Sequence, residues 1–366
     1  MRIRNFIALL FVLFAMGSAK SQKKNYILQT VAFYNTENFY DTINDPKTRD
    51  DEWVYSSKYY YTKIHNIARV LAQIGDGENK DAPVVIGLSE IEHRSVLEDL
   101  VKDPQLSKYD YGVVEFESPD KRGIDVGLIY QKKHFKPTSY ANIPLYIYET
   151  DTKAVKEKKA DKKDAEDSTD DKVEHTEKSK RIYTRDQLLV SGFLDGEEMH
   201  FIVNHWPSRR GGEKISSLLR EKAAALNLKI IDSLQKINPN AKIISMGDLN
   251  DGPLNNSLKK VLNAKENKKD VPPLGIYNPS EKMFKKGDST LYYRDAGDIF
   301  DQLFMTEPLI REDYSSYRYW KAGICRKPFM ITTTGQYKGY PLRSSSTFVG
   351  FSDHLPAFIY LIKEAK

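Results

Sequence analysis

The chain has 366 residues with 40% hydrophobic content, enough for one large layered domain or two small ones. A formal charge of +5 is too mild to argue for nucleic-acid binding by itself, and the abundance of Asp and Glu makes any basic surface local. A single cysteine, Cys325, excludes an intramolecular disulfide and reads as an ordinary, partly buried thiol.

Arg2 and Arg4 precede an apolar run from Phe6 to Ala15, followed by Gly17, Ser18 and Ala19. That order predicts a secretory signal peptide over residues 1–19, cut after Ala19 or, as second choice, after Ser21. The run is short for a membrane span, and an uncleaved anchor is the alternative. Once the leader is removed, no transmembrane segment is expected and the charge falls to 5 − 2 = +3. Export without disulfides fits a bacterial periplasm or outer surface.

Residues 20–366 then read as one domain. Strand-length apolar runs occur at 27–33, 84–88, 111–114, 126–130, 187–190, 200–203, 242–245, 299–305 and 356–362. Helical periodicity marks 58–74, with Ile64, Ile67, Ala68 and Leu71 on one face, and 215–234, with Leu218, Leu219, Ala223 and Leu226. Strands mixed with a few amphipathic helices predict an α/β sandwich of two packed sheets with helices outside.

Between two of the strands, residues 151–180 carry nine Lys against ten Asp and Glu, with Val155 and Val173 the only aliphatic side chains larger than Ala. Such a segment buries too little apolar surface to offset its ordering entropy, so a disordered insert, dispensable for chemistry, is expected. A coiled-coil arm is the alternative, weakened by the missing heptad. Further on, the aromatic and cationic run at 314–321 reads more readily as an aromatic edge packed on the sandwich than as a base-stacking surface.

Several apolar runs stop in polar residues: Tyr34-Asn35-Thr36-Glu37-Asn38, Gly87-Leu88-Ser89-Glu90-Ile91-Glu92, Asn204-His205-Trp206, Gly247-Asp248-Leu249-Asn250 and, before the last strand, Ser352-Asp353-His354. A site built from strand ends follows. Carboxylates and amides suit a hard cation, and an imidazole exchanges protons near neutral pH, which together are what hydrolysis of a phosphate ester needs. Glu90 is the first choice for a Mg²⁺ ligand. Alternation around Leu249 would put Asp248 and Asn250 on one face, suiting a carboxylate that orients water and an amide that grips a phosphoryl oxygen. Glu92, two residues beyond Glu90, is read as its supporting partner, with capping of a helix near Ser95 as the alternative. Arg122 either grips phosphate or pairs with Asp125 or Asp120.

These pieces, with Arg122-Gly123-Ile124-Asp125-Val126-Gly127 between them, resemble in order the endonuclease/exonuclease/phosphatase superfamily of metal-dependent phosphoesterases, over nearly the whole mature chain. The resemblance implies a four-layer α/β/β/α fold and Mg²⁺, or Mn²⁺, held by Asn35, Glu90 and Asp353, with Glu37 given a lesser claim. It implies that His354 transfers the proton, that Asp301 orients its imidazole, and that His205 stabilises phosphoryl oxygens or protonates the leaving oxygen. Asp248 and Asn250 complete the catalytic set. Asn204, Arg209 and Arg210 with Trp206 adjoin it and would contact a nucleic-acid strand, the expected substrate of an endonuclease. A phospholipid phosphodiesterase of the sphingomyelinase kind or a phosphomonoesterase is the enzymatic alternative, and a catalytically silent surface-binding protein is the least favoured. No feature points to a stable protein partner.

Overall fold

The computed structural model describes residues 25–50, 53–150 and 180–365. The expected leader and the expected insert, apart from Lys180, lie outside the described residues.

The first sheet is built by β1 (Tyr26–Phe39), β2 (Val85–Ile91), β3 (Tyr111–Glu115), β4 (Asp125–Gln131), β15 (Arg318–Ile324) and β16 (Ala357–Glu364), in the order β15-β16-β1-β2-β4-β3. The second is built by β5 (Phe135–Ile143), β8 (Gln187–Leu194), β9 (Glu197–His205), β10 (Ile243–Asp248), β11 (Ile276–Tyr277) and β14 (Asp301–Thr306), in the order β11-β14-β10-β9-β8-β5. Two short hairpins stand outside the sheets: β6 (Ile147–Tyr148) with β7 (Arg181–Ile182), and β12 (Leu291–Tyr293) with β13 (Ala296–Asp298). β1 and β2 run parallel, as do β9 and β10, while the other pairs are antiparallel.

The strands stack face to face because they are apolar on both sides. Val31 and Phe33 of β1 meet Phe201, Val203, Ile244 and Met246 between the sheets. Ala32 and Tyr34, one residue out of phase, join Ile64, Ile67, Val96 and Leu97 of the helices α1 (Ser57–Leu71) and α2 (Arg94–Leu100). On the far side, Ile202, Ile243 and Phe304 pack under Ala223, Ala224, Ile230 and Ile231 of α3 (Glu213–Ile237). A period of two with both phases covered is what a strand between two layers requires. The result is the four-layer α/β/β/α arrangement. Ser56 starts α1 by accepting a hydrogen bond from the Tyr59 N–H, and Ile74 lies just beyond the end of this helix.

The nine apolar runs all become strands. Three edge strands give no such run: FKPTSYANI of β5 and RYWKAGI of β15 are partly exposed and broken by Pro137 and Lys321, and β11 is only two residues long. Of the 314–321 aromatics, Tyr319 and Trp320 belong to the sheet edge that β15 forms, while Tyr314 and Tyr317 precede it. Cys325 is buried in the outer core, where burial pushes its thiol up to about 12. Among the described residues no helix is long and apolar enough to cross a membrane.

The boundaries of the charged segment meet: Tyr148 pairs with Arg181, and the Glu149 N–H donates to the Lys180 carbonyl at 2.9 Å. Replacing residues 151–179 by a four-residue Gly/Ser linker should leave the melting temperature unchanged or raise it by a few degrees, since a shorter loop is closed at less entropic cost. A large fall in a calorimetric scan would show that the segment packs on the body.

Candidate active site

Strand register assembles the site. In the second sheet Asp248 stands opposite His205 on one side and Asp301 on the other, so three strand ends place an imidazole and two carboxyls in one row. In the first sheet Asn35 is level with Ser89, one residue before Glu90. The sheets meet where the Asn35 amide donates from Nδ2 to Asp248 Oδ2 at 3.0 Å. His205 Nε2 lies 3.6 Å from the same oxygen and 3.9 Å from Glu90 Oε1.

The turn before β16 brings the last member. Ser352 Oγ donates to the Asn35 carbonyl at 2.7 Å and accepts from the His354 N–H at 3.0 Å, which locks this turn onto β1. His354 Nδ1 is 2.7 Å from Asp301 Oδ2. Asp353 points outward, with its side chain 41% exposed and 4.0 Å from Arg343 Nη2.

The two imidazoles have opposite electrostatics. Burial holds His205 well below its ordinary value, helped by the positive charges of Arg185 and Arg122, so it is neutral. Its Nδ1 is buried and has no hydrogen-bond partner among the described residues. Burial also works against a charge on His354, but the carboxyls of Asp301, Asp248 and Asp353 outweigh it and hold the ring well above its ordinary value. Burial pushes Asp248 up to about 6, with Asp301 and Glu90 adding to the rise and His354 opposing it.

Backbone strain sets the carboxylates. Glu37, Asn38 and Glu90 all lie in the left-handed region, with φ of 52°, 49° and 61°, which side chains other than Gly adopt only when held there. What holds them is visible: the Asn38 N–H donates to Glu90 Oε2 at 2.8 Å, and the ammonium of Lys63, fully buried on α1, donates to the Glu37 carbonyl. Burial pushes Lys63 down to about 8.

Several expectations from the sequence need correction. The kink at Glu90 and the register shift between Ser89 and Ile91 break the alternation, so Glu92 does not share Glu90's side; its Oε2 accepts from the Asp41 N–H at 2.5 Å, and His93 occupies the cap position of α2. Asn250, at φ 50°, likewise leaves the face of Asp248: its N–H donates to Asp248 Oδ1 at 2.9 Å in an Asx turn, and its amide donates to the Trp206 carbonyl at 3.0 Å. Asn204 is wholly buried, with its amide shared among Ser245, Met246, Asn227 and Trp206 Nε1, and Trp206 is itself core. Both position the strand end rather than face substrate. Arg209 is turned inward onto the Asn250 carbonyl at 2.9 Å and across the Phe300 ring, while Arg210 is exposed. Glu37 faces Ser344 N at 2.8 Å and Arg343 Nε at 3.1 Å. Arg122 is 3.6 Å from Asp120, and Asp125 is bound instead to Ser118.

Other residues of the site were not foreseen. Arg185, buried, donates to the carbonyls of His205 and Trp206 and to Asp120 at 2.9 Å, fixing the end of β9. Arg343 stands over Glu37 and Asp353 in a Ser-rich segment with no apolar pattern. Lys63 did leave a signal: it falls on the apolar face of α1 beside Tyr60, Ile64 and Ile67, where a cation needs a buried partner.

Asn35, Glu90 and Asp248 bring hard oxygen donors close together, and Asp353 is near enough for its charge to act on His354. Among the described residues no three His, Cys, Asp or Glu converge tightly enough to grip an ion by themselves. Oxygen donors of this kind are what a hard divalent cation takes.

This fold and arrangement of strand ends are those of a phosphoester hydrolase of the sandwich type. The chain belongs to the endonuclease/exonuclease/phosphatase family, whose model matches residues 30–160 and 162–363. A comparison with curated proteins finds no match. Among solved structures, a humanized TDP2 of D. rerio is 14% identical with a TM-score of 0.52, covering 91% of this chain and 98% of its own. The mannosyl-6-phosphatase of Bacteroides thetaiotaomicron is 15% identical at 0.51, covering 91% and 99%. A D. rerio TDP2 complexed with single strand DNA product is 13% identical at 0.50, covering 91% and 98%. These neighbours share the fold.

The burial of Glu92 has a measurable consequence. Burial pushes its carboxyl up to about 8, so the folded chain keeps a proton that the unfolded chain releases from about pH 4 upward. Its contribution is complete below that pH and is lost as pH rises towards 8. Glu92→Gln should therefore gain stability relative to the parent between pH 5 and 8, read as urea midpoints. A difference that stays constant with pH would contradict this.

Proposed function

We propose that the protein is an exported, Mg²⁺-dependent phosphodiesterase that hydrolyses nucleic acid by in-line attack of water. Export rests on the leader-like pattern around Arg2, Arg4 and the apolar run at 6–15. The observation that carries the chemistry is that two imidazoles and two carboxyls meet at adjacent strand ends, His205 Nε2 lying 3.6 Å from Asp248 Oδ2 and His354 Nδ1 2.7 Å from Asp301 Oδ2.

Asn35, Glu90 and Asp353 would hold the cation, which when bound neutralises charge on the phosphoryl oxygens. Asp248, fixed by Asn35 Nδ2 and the Asn250 N–H, accepts a hydrogen bond from the attacking water and aims it. His354, whose Nδ1 is occupied by Asp301, presents Nε2 to the phosphoryl group and manages the proton there. Neutral His205 offers Nε2 to the same space, and Arg122 adds positive charge beside it. Donors already in place need no rearrangement as charge develops.

Within the family, nucleic acid is favoured over lipid. A lipid-headgroup enzyme needs an apolar element to enter the bilayer surface. The hairpin nearest the site turns at Arg294-Asp295, both charged. The phosphomonoesterase alternative has support from the mannosyl-6-phosphatase, and the nucleic-acid reading from the neighbour solved with single strand DNA product.

The test is a panel of single- and double-stranded DNA, RNA, sphingomyelin and inositol phosphates, with Mg²⁺ and with chelator. Cleavage of nucleic acid, lost in chelator, is expected; hydrolysis of lipid or phosphomonoester alone would overturn the reading. His354→Ala should lower kcat by about 10²–10⁴ on whichever substrate is used, and near-normal turnover of that variant would contradict its role.

A further inference from the structure

A second feature reaches the site from the side. The β12–β13 hairpin and residues 332–343 enclose an open cleft of about 670 Å³ whose inner wall is Asp353. That volume is of ordinary ligand-pocket size. Its walls are tyrosines: Tyr292 stacks on Tyr340 at 4.7 Å with 22° between planes, and Tyr337 lies 5.6 Å from Tyr340. Tyr293 and Tyr337 present 68% and 58% of their surface to solvent.

The cleft is braced. Arg294 and Asp295, with φ of 48° and 65°, form the tight turn of the hairpin, and the Tyr340 hydroxyl donates to Asp295, docking hairpin and segment together. Arg294 lies over the Tyr293 ring at 5.2 Å. At the inner end Arg343 is two-thirds exposed, with Nε tied to Glu37 at 3.1 Å. Its guanidinium is thus anchored at Nε, with Nη2 4.0 Å from Asp353, and Arg343 lines the cleft.

Flat rings interleaved with guanidinium groups, leading to a phosphoryl-transfer site, match a polymer that repeats a flat ring and an anion. We infer that this cleft is a subsite for single-stranded nucleic acid: unpaired bases flanking the scissile phosphate stack on Tyr293 and Tyr337, and the adjacent phosphates lie on Arg294 and Arg343. Bases in a duplex have their faces occupied by their neighbours and cannot use such a wall, whereas every unpaired base carries a free π face. A lipid would find a polar rim at Arg294 and Asp295 instead of an apolar one. The inference rests on the nucleic-acid reading above and adds strandedness to it.

The experiment is steady-state cleavage of a fluorescein-labelled twelve-nucleotide DNA, alone and annealed to its complement, by the parent and by Tyr293→Ala/Tyr337→Ala in Mg²⁺. The parent should show a KM at least tenfold lower for the single strand. The double variant should raise the single-strand KM by on the order of ten- to a hundredfold with kcat within twofold, and Tyr293→Phe/Tyr337→Phe should restore it. Both tyrosines are exposed, so neither variant tests the core. An unchanged KM in the alanine variant, or equal parental KM for both substrates, overturns the subsite while leaving nuclease activity standing. Failure of the parent to cut any oligonucleotide overturns the nucleic-acid reading and the subsite with it.

Discussion

Crowded acidic groups in a dry interior are the constraint around which this site is arranged. Asp248 and Asp301 are buried side by side across one pair of strands, and Glu90 of the other sheet is close enough for its charge to act on Asp248. Like charges at such range repel strongly when water is excluded. The chain answers with positive charge and amides placed at the same spot: His354 held charged against Asp301, Asn35 donating to Asp248, and Lys63 beneath Glu37 and Glu90. A divalent cation would complete the same balance, and the oxygen donors are the ones it would use.

Each answer is anchored far from where it acts. Arg185 fixes the carbonyls of His205 and Trp206, and Asn204 is locked among Ser245, Met246 and Asn227, so the imidazole of His205 is aimed by a buried frame. Ser352 ties the β16 turn to β1. Lys63 holds the strained turn at Glu37 and Asn38, and Asn38 holds Glu90. Substitutions at these supports should therefore move the site without touching it.

The layered fold was legible because both phases of the central strands are apolar, as in Val31-Ala32-Phe33-Tyr34. The strand-end residues were legible for the same reason, since polarity begins where burial between layers ends. What misled was the assumption that alternation continues past the strand. Left-handed backbone at Glu90 and Asn250 turns Glu92 and Asn250 away from the faces that counting assigns them. Asn204 and Arg209 look like substrate contacts in sequence, because nothing local reveals that their partners, Asn227 and the Asn250 carbonyl, come from elsewhere. Arg343 and the tyrosines of the cleft left no pattern at all, because an exposed surface has no periodicity to read.

The central claim is that the carboxylate cluster is a cation site, and thermal melting against Mg²⁺ tests it directly. The metal-free parent should gain stability as Mg²⁺ is added. Glu90→Gln, which removes one charge from the cluster, should melt at or above the metal-free parent and respond little to the ion. A parent indifferent to millimolar Mg²⁺, or a variant that responds as strongly as the parent, would contradict the account.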